Sequence, residues 1–519
     1  MKLDFWNNPI IVSSFRVRYR RGGLFNLTAI YLMLLVVGGV VMYHYRGNMP
    51  GTWSRNYLLA LLGMQFFLSA AMAGGTTANS MRSEVVSRTF DFQRISSLSP
   101  RQILAGKLFG EPALAYLLAI TTIPLAVWCW MLGVVGVSLP VLALLYVNLA
   151  TTTILAGSLG LLQSLEPAAG QATTPSSATV GWGVLAAIFA AQALAMARWL
   201  LATPWSRALV GLLTPVAPIY GVTDGDPWHH TLSLTFFTYE IPLLLATPVA
   251  QLVVAWLCFQ IMVRRIINPL NPAFSKRTAY LTLAVVDLLA AGVLFERLPI
   301  VVGVSLSIGQ RAAAFCLAHL VVGLMMVGNV TPWRESLHSW IWRLRGPCSR
   351  WRDLWLGDRS ENWLALLTFC LIGLASLIVF VLIPAGLEEG FDKVRASGPQ
   401  VLRIIVVTLL LLLSLGTLRQ WCVAVGGRSG RGVFFTLGLI LMLPVYLVGL
   451  YFQSDEVEAF SPIGHFVHWF NQGEPLNPLP LLLVYGTLLI LTWVLLRRYV
   501  ARVEKVVVRK LQLMGATKA

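Results

Sequence analysis

Long apolar runs separated by short polar stretches dominate the pattern along this chain of 519 residues. Runs of about 20 apolar residues are long enough to cross the roughly 30 Å hydrocarbon core of a bilayer as helices. The pattern therefore predicts an all-α polytopic membrane protein with about 12 transmembrane helices. The predicted spans cover residues 24–45, 57–75, 112–134, 139–164, 181–201, 241–263, 279–295, 310–329, 363–385, 401–417, 433–452 and 479–497.

The arrangement of the longer polar stretches repeats six spans apart. Stretches 76–111 and 330–362 follow the second and eighth spans, and stretches 202–240 and 453–478 precede the sixth and twelfth. This layout favours two fused six-span halves; chance similarity between loops rich in Gly and Pro is the alternative. The predicted organisation is an N-terminal interfacial helix (1–23), a first half (24–265), a linker (266–278), a second half (279–498) and a C-terminal tail (499–519).

The chain is strongly basic, with 39 Lys and Arg against 22 Asp and Glu. With the N-terminus inside, 30 of these 39 cations fall in inner loops and tails, which is the positive-inside pattern. The excess of Lys and Arg over Asp and Glu is therefore explained by membrane topology and by contact with membrane lipids. No nucleic-acid partner is expected. Both termini are predicted to be cytoplasmic. The first apolar run is expected to be a retained span, and the spacing of the six Cys predicts neither disulfides nor a metal site.

The segment before the first span combines Ile10, Ile11 and Phe15 with arginines. This combination is typical of a helix lying along the inner membrane surface, and a disordered basic tail is the alternative.

The stretch ISSLSPRQILAGKLFGEP, residues 95–112, carries a helix-start signal. Ser99 can cap, Pro100 suits the first helical position, and Gln102 can close a capping box. A helix beginning here is predicted to run toward the third span, with a kink at Pro112.

The preceding stretch, MRSEVVSRTFDFQRI, predicts a short amphipathic helix. Its apolar side carries Met81, Val85 and Phe92 and, less regularly, Val86 and Ile95; its polar side carries Arg82, Glu84, Arg88, Asp91 and Arg94. Held between two spans, such a helix could pass motion from a cytoplasmic partner into the membrane. An inert interfacial helix is the alternative.

Residues 84–107 resemble the cytoplasmic coupling region of type-2 ABC transporter permeases. The resemblance lies in Glu84, Arg88-Thr89, Phe90, Phe92, Ser96-Ser97-Leu98-Ser99 and Gly106-Lys107, with Arg88 where the family has glycine and Ser97 where it has proline. It implies an inner-membrane exporter subunit. The residues expected to couple to an ATPase are Glu84, Val85, Arg88, Phe92, Arg94, Ser99 and Lys107.

The second long inner stretch contains TPWRESLHSWIWRLR, in which Thr331 can cap and Pro332 can start a helix. Its apolar face would carry Trp333, Leu337, Trp340, Ile341 and Leu344. The stretch is a candidate second coupling helix; a helix anchored at the membrane surface by tryptophan is the alternative.

The sequence contains no glycine-rich phosphate loop ending in Gly-Lys-Ser or Gly-Lys-Thr. GGRSGRG, at 426–432, lacks the lysine and reads as a flexible turn. No cofactor is therefore expected on this chain, and the resemblance assigns ATP and Mg to separate cytoplasmic ATPase subunits. A complete permease could be one chain with two ATPase subunits or a homodimer.

Charged residues inside spans are costly and indicate function. Asp287 lies near the middle of the seventh span, with His319 in the eighth as its candidate partner, while Glu111 and Glu240 lie near span boundaries. A helix–helix hydrogen bond is the alternative role for Asp287. The pairs His229-His230 and His465/His468 form weak metal motifs, and no metal site is predicted.

Two rival functions stay open at this stage. An integral membrane enzyme, such as a lipid-linked glycosyl or acyl transferase, would need an acid or base, for which Asp224 and Asp226 are candidates. An ion-coupled secondary carrier would use Asp287 and would work without an ATPase. The sequence does not indicate the substrate.

Overall fold

The computed structural model describes residues 8–20, 23–44, 50–87, 89–95, 98–132, 137–164, 212, 219, 233–236, 239–267, 272–294, 307–332, 334, 337–338, 355–358, 362–426, 433–434, 437 and 477–513. Within these ranges the regular structure is helical apart from one short hairpin, and nine helices are long and apolar enough to cross a membrane. The prediction of a helical multi-pass membrane protein is confirmed to this extent.

The chain divides into two compact units. Unit 1 comprises Met1–Thr235 and Tyr239–Ile267, and unit 2 comprises Phe236–Thr238 and Asn268–Ala519. The change from unit 1 to unit 2 after Ile267 lies within the stretch predicted as a linker.

Unit 1 contains eight described helices. They are α1 (Pro9–Arg20), α2 (Gly23–His44), α3 (Pro50–Val86), α4 (Thr89–Ile95), α5 (Pro100–Gly110), α6 (Ala113–Met131), α7 (Leu139–Ser164) and α8 (Leu243–Ile267). A hairpin of β1 (Ser233–Phe236) and β2 (Tyr239–Pro242) precedes α8.

In unit 1, α7 packs against α3 and α8, and α6 packs against α3 and α2. Small residues bring α3 and α7 together: a Cβ at Gly160 would collide with the Gly74 carbonyl oxygen. Thr77 donates to the Gly157 carbonyl oxygen at 3.1 Å across the same contact. Close backbone approach through small residues is a common way for helices to associate inside a membrane.

Unit 2 contains six described α-helices. They are α9 (Lys276–Leu294), α10 (Ile308–Val330), α11 (Trp363–Leu377), α12 (Ile383–Glu389), α13 (Phe391–Gly426) and α14 (Leu479–Leu513). A single π-helical turn, Ile378–Leu382, joins α11 to α12, and Gly390, at φ 96°, turns the chain from α12 into α13. In this unit α13 packs against α10 and α14, and α9 packs against α10 and α11.

Several predicted boundaries need correction. The second predicted span, 57–75, lies within a 37-residue helix, Pro50–Val86, so the polar loop does not begin at 76. Pro112 separates α5 from α6 completely instead of kinking one helix. The C-terminal tail predicted from 499 starts as a continuation of α14, which ends at Leu513.

The seventh predicted span forms helix α9, but α9 is not among the nine helices that are long and apolar enough to cross a membrane. Lys276, Arg277 and Asp287 lie along it. The fifth and most of the eleventh predicted spans fall outside the described residues. Thus nine of the predicted spans coincide with long apolar helices among the residues that the structure describes.

Candidate functional site

Helix α4 presents apolar side chains to the surface. Phe92 is 71% exposed and Ile95 is 81% exposed, while Val85, at the end of α3, is 39% exposed. We call these three residues the α4 face. Exposed large apolar side chains are typical of interaction sites where they lie outside the bilayer.

The opposite side of α4 is anchored in a hydrophobic cluster. Phe90, only 6% exposed, packs with Met81 of α3, with residues of α5 and with Leu161 of α7 and Met262 of α8. The cluster also contains Ile103, Leu104, Leu108, Cys258 and Ile266. Because interiors of this kind are close-packed, a displacement of α4 is resisted by three long helices at once.

The predicted single amphipathic helix is therefore corrected. The helix breaks after Val86, so Met81 belongs to α3 and Phe92 to α4. Met81 is fully buried in the cluster, whereas Val85 and Phe92 point outward. Phe90, which the amphipathic pattern did not include, is the buried anchor.

The predicted capping box at the start of α5 is confirmed. The Gln102 backbone N–H donates to Ser99 Oγ at 3.3 Å, and the Ser99 backbone N–H donates to Gln102 Oε1 at 2.9 Å. Pro100 occupies the start of the helix. These bonds satisfy two backbone donors and fix the point at which the chain enters α5.

A buried cation ties the end of α3 to α5. Lys107 is 1% exposed, and its Nζ lies 2.5 Å from Glu84 Oε2. One turn earlier on α3, Ser80 donates to Glu111 Oε1 at 2.9 Å. A buried ammonium needs such a partner because desolvating an unpaired charge is very costly. Both contacts hold α5 in a fixed register along α3.

Helix α1 packs against α5 at two glycines of α5, Gly106 and Gly110. A Cβ at Gly106 would lie 2.6 Å from Ile10 Cβ, and one at Gly110 would lie 3.1 Å from Ser14 Cβ. Asn8 Nδ2 donates to the Gln102 carbonyl oxygen at 2.7 Å. The predicted helix over the basic N-terminal segment is thus present, and the alternative of a disordered tail is wrong over 9–20.

An open groove of about 390 Å³ runs beside the α4 face. It lies between α4, α5 and the last turn of α8. The groove is lined by one acidic residue and six apolar residues: Asp91, Ile95, Leu98, Pro100, Ile103, Ile266 and Ile267. The groove and the α4 face form one continuous surface of unit 1, since Ile95 belongs to both.

Other predicted coupling residues are placed only in part. Arg88, Trp333, Trp340 and Ile341 lie outside the described residues, as does the side chain of Arg94. Leu337 is described and is 1% exposed, packed in a cluster with Leu364, Ala424, Leu496 and Val500. Its side chain is therefore part of the interior of unit 2 and is not offered to a partner.

Asp287 and His319 are brought together inside unit 2. His319 Nδ1 lies 2.9 Å from each carboxylate oxygen of Asp287, and the two residues are 3% and 1% exposed respectively. The predicted partnership is present. No group of three or more His, Cys, Asp or Glu side chains suited to a metal occurs among the described residues. The pairs His229-His230 and His465/His468 lie outside them.

A buried polar cluster lies between α7 and α8 and was not predicted from the sequence. Pro248 has no N–H, so the Leu244 carbonyl oxygen loses its usual partner in α8, and Asn148 Nδ2 donates to it at 3.0 Å. One turn further, Thr151 donates to Gln251 Oε1 at 2.5 Å. The sequence does contain a signal for this cluster: Pro248 and Gln251 lie in one predicted span and Asn148 lies in another. Polar side chains commonly satisfy the backbone group that a proline leaves free in a membrane helix.

Comparison of this chain with protein-family models, with curated proteins and with solved structures gives no match.

Proposed function

We propose that this protein is the membrane-spanning permease subunit of an ATP-driven ABC exporter, powered by separate cytoplasmic ATPase chains. The observation that carries the proposal is the α4 face, an exposed apolar surface built on a short helix between two membrane helices. The sequence resemblance of residues 84–107 to the coupling region of type-2 permeases falls on the same element.

The packing around α4 suits transmission of force. Phe90 and the α5 residues join α4 to α3, α7 and α8 through one hydrophobic cluster. Lys107 and Glu84 prevent α5 from sliding along α3. Closure of an ATPase pair against the α4 face would thus move three membrane helices together, and packed helices respond to such a push by shifting between discrete arrangements.

The helix-packing order of the two units supports two fused six-span halves. In unit 1, α7 packs on α3 and α8, α6 packs on α3 and α2, and α2 packs on α3. In unit 2, α13 packs on α10 and α14, α11 packs on α10 and α9, and α9 packs on α10. Replacing α2, α3, α6, α7 and α8 by α9, α10, α11, α13 and α14 converts the first set of contacts into the second. Helix α11 also packs on α13, a contact without an equally extensive counterpart between α6 and α7.

The proposal includes about twelve spans, location in the inner membrane and cytoplasmic termini, as the distribution of Lys and Arg indicates. ATP and Mg would bind to the ATPase partner, because this sequence contains no phosphate-binding loop. Export is the direction that the resemblance implies.

The test is affinity purification of the tagged protein from its native membranes in mild detergent, scored by co-purified chains and ATP hydrolysis. We expect a stoichiometric ATPase partner. Phe92→Asp places a charge in the apolar contact, so we expect it to reduce ATPase recovery and stimulation at least tenfold while the permease remains inserted.

Two control variants isolate the contact. Phe92→Leu keeps the face apolar and should retain the partner. Trp355→Asp changes another large exposed apolar residue, 45% exposed, in unit 2, and should also retain it. Equal recovery of the ATPase with Phe92→Asp and with wild type would contradict the assignment of the α4 face.

The buried Asp287–His319 pair favours an ion-coupled secondary carrier as the second candidate. Such a carrier would need no ATPase. A protein that purifies intact without any nucleotide-hydrolysing partner, and that moves substrate along an ion gradient in vesicles, would favour this candidate over the exporter.

A further inference from the structure

The Asp287–His319 pair lies where helices α9 and α10 pack together. Asp287 is 1% exposed and His319 is 3% exposed. Both carboxylate oxygens lie 2.9 Å from the same ring nitrogen, His319 Nδ1. Among the described residues, His319 is the only hydrogen-bonding or ion-pair partner that the structure gives to Asp287.

Charge balance makes the pair a site for one proton. An ionised Asp287 beside a neutral imidazole leaves one net negative charge in apolar surroundings, which is a costly arrangement. Binding one proton gives either a carboxylate with an imidazolium or a carboxylic acid with an imidazole, and in both cases the net charge is zero.

The second ring nitrogen of His319 marks a direction for proton entry and exit. His319 Nε2 is buried and has no hydrogen-bond partner among the described residues. It lies against Gly373 of α11, where an added Cβ would collide with the ring. A buried nitrogen without a partner is rare in proteins, and it would be satisfied by a water molecule if α11 moved aside.

A π-helical turn follows Gly373 in the chain and lies close to the pair. Five residues after Gly373, α11 passes into the π-helical turn Ile378–Leu382, and this turn packs against both α9 and α10. Single π-helical turns are uncommon and often occur at functional sites, since they shift the register of the helix around them. A register shift here would change how Gly373 covers His319.

The elements around the pair carry other titratable and charged groups. The π-helical turn carries none. Cys316 lies one turn from His319 on α10, and Cys370 lies one turn from Gly373 on α11; both thiols are buried. The remaining groups are Lys276, Arg277 and Tyr280 near the start of α9, Arg311 about 12 Å along α10 from His319, and Asp392, Lys393, Arg395, Arg403, Arg419 and Cys422 on α13.

We propose that Asp287 and His319 form a buried proton-binding site whose occupancy controls the packing of α9 against α10. The proton exchanges with water, and its loss leaves one buried negative charge that loosens the contact between these helices. The site gives the protein a pH-dependent step beyond ATP-driven export. It does not require the ATPase partner, because proton occupancy belongs to this chain alone.

The first test is infrared difference spectroscopy on the purified full-length protein in lipid nanodiscs, between about pH 5 and about pH 9, a range that spans histidine titration. We expect reversible imidazole and carboxyl bands in the wild type that disappear in His319→Gln and in Asp287→Asn. His338→Gln changes another histidine of unit 2, hydrogen-bonded to Tyr499, and should keep these bands.

The second test guards against variants that misfold. The double variant Asp287→Asn/His319→Gln keeps a neutral hydrogen-bonding pair without a titrating group. We expect the melting temperature of the wild type, relative to this double variant, to fall as pH rises, because proton loss charges the wild-type pair. Identical spectra for wild type and single variants, or a melting difference that is constant with pH, would overturn the proposal and leave the pair a fixed packing contact.

Discussion

At the scale of single residues, buried polar side chains explain how the helices keep their register. Lys107 pairs with Glu84, Asn148 supplies the donor that Pro248 cannot, and Thr77 bonds the Gly157 carbonyl across a helix contact. A shift of one helix by one residue would break all three of these contacts between helices. Buried polar contacts of this kind favour one packing arrangement over its neighbours.

Lys107→Met is predicted to lower the stability of unit 1. The substitution keeps an unbranched side chain but leaves Glu84, which is 25% exposed, without its buried partner. Partial solvation reduces the cost from that of a fully buried charge to about 1–3 kcal/mol. Thermal unfolding of the purified protein measures the change.

The matched control for Lys107→Met is the double variant Glu84→Gln/Lys107→Met. It removes both charges and should recover part of the lost stability, because no unpaired carboxylate remains. If the double variant is less stable than Lys107→Met by the full effect of Glu84→Gln in the wild type, the two side chains act independently and the pairing has no energetic role.

At the scale of elements, the sequence predicted helix boundaries correctly where residues close in sequence determine them. Ser99, Pro100 and Gln102 are close in sequence, and the helix start that they predict is present with both bonds of the capping box. The continuity of α3 up to Val86 was not predicted, because residues 76–80 are small or polar and separate the second span from the helix predicted to begin at Met81. Thr77 and Ser80 are satisfied by Gly157 and Glu111, contacts that only the folded chain reveals.

The orientation of α4 could not be predicted for the same reason. Phe90 and Phe92 are equivalent as isolated apolar residues, and the break after Val86 decides which of them faces the cluster of unit 1. The sequence did indicate Phe92, Val85 and Lys107 as members of the candidate site. It did not distinguish the exposed residues from the buried Lys107.

Gly106→Ala is predicted to displace α1 from α5. The new Cβ would lie 2.6 Å from Ile10 Cβ and 3.2 Å from Asn8 Oδ1, so the helices must separate and the Asn8–Gln102 hydrogen bond should break. Limited trypsin digestion at Arg16 and Arg18 should become several times faster, because a released α1 opens locally at low cost.

Gly63→Ala is the matched control for Gly106→Ala. Gly63 lies in α3, and nothing lies within 4 Å of the position of its added Cβ. Alanine in an open helical position stabilises the helix by up to about 1 kcal/mol, so digestion of α1 should be unchanged. Equal cleavage rates for the two variants would show that α1 does not depend on its contact with Gly106.

At the scale of the whole molecule, several helix contacts recur in both units with different polar side chains. Thr151 bonds Gln251 between α7 and α8, whereas Thr417 bonds Thr492, at 2.9 Å, between the corresponding helices α13 and α14. The buried Asp287–His319 pair lies between α9 and α10. The corresponding contact between α2 and α3 has Tyr57 donating to the Leu35 carbonyl oxygen at 2.7 Å. The proposed halves would therefore share architecture and differ in chemistry.

This arrangement leads to a prediction about stoichiometry that rests on the proposed function. An exporter of this class needs two membrane halves and two ATPase subunits, and two fused halves would supply the membrane part from one chain. We expect native mass spectrometry of the purified complex to give one copy of this 57.1 kDa chain for two ATPase subunits. Two copies of the chain in each complex would mean that unit 2 does not act as a second permease half, and would favour the homodimer.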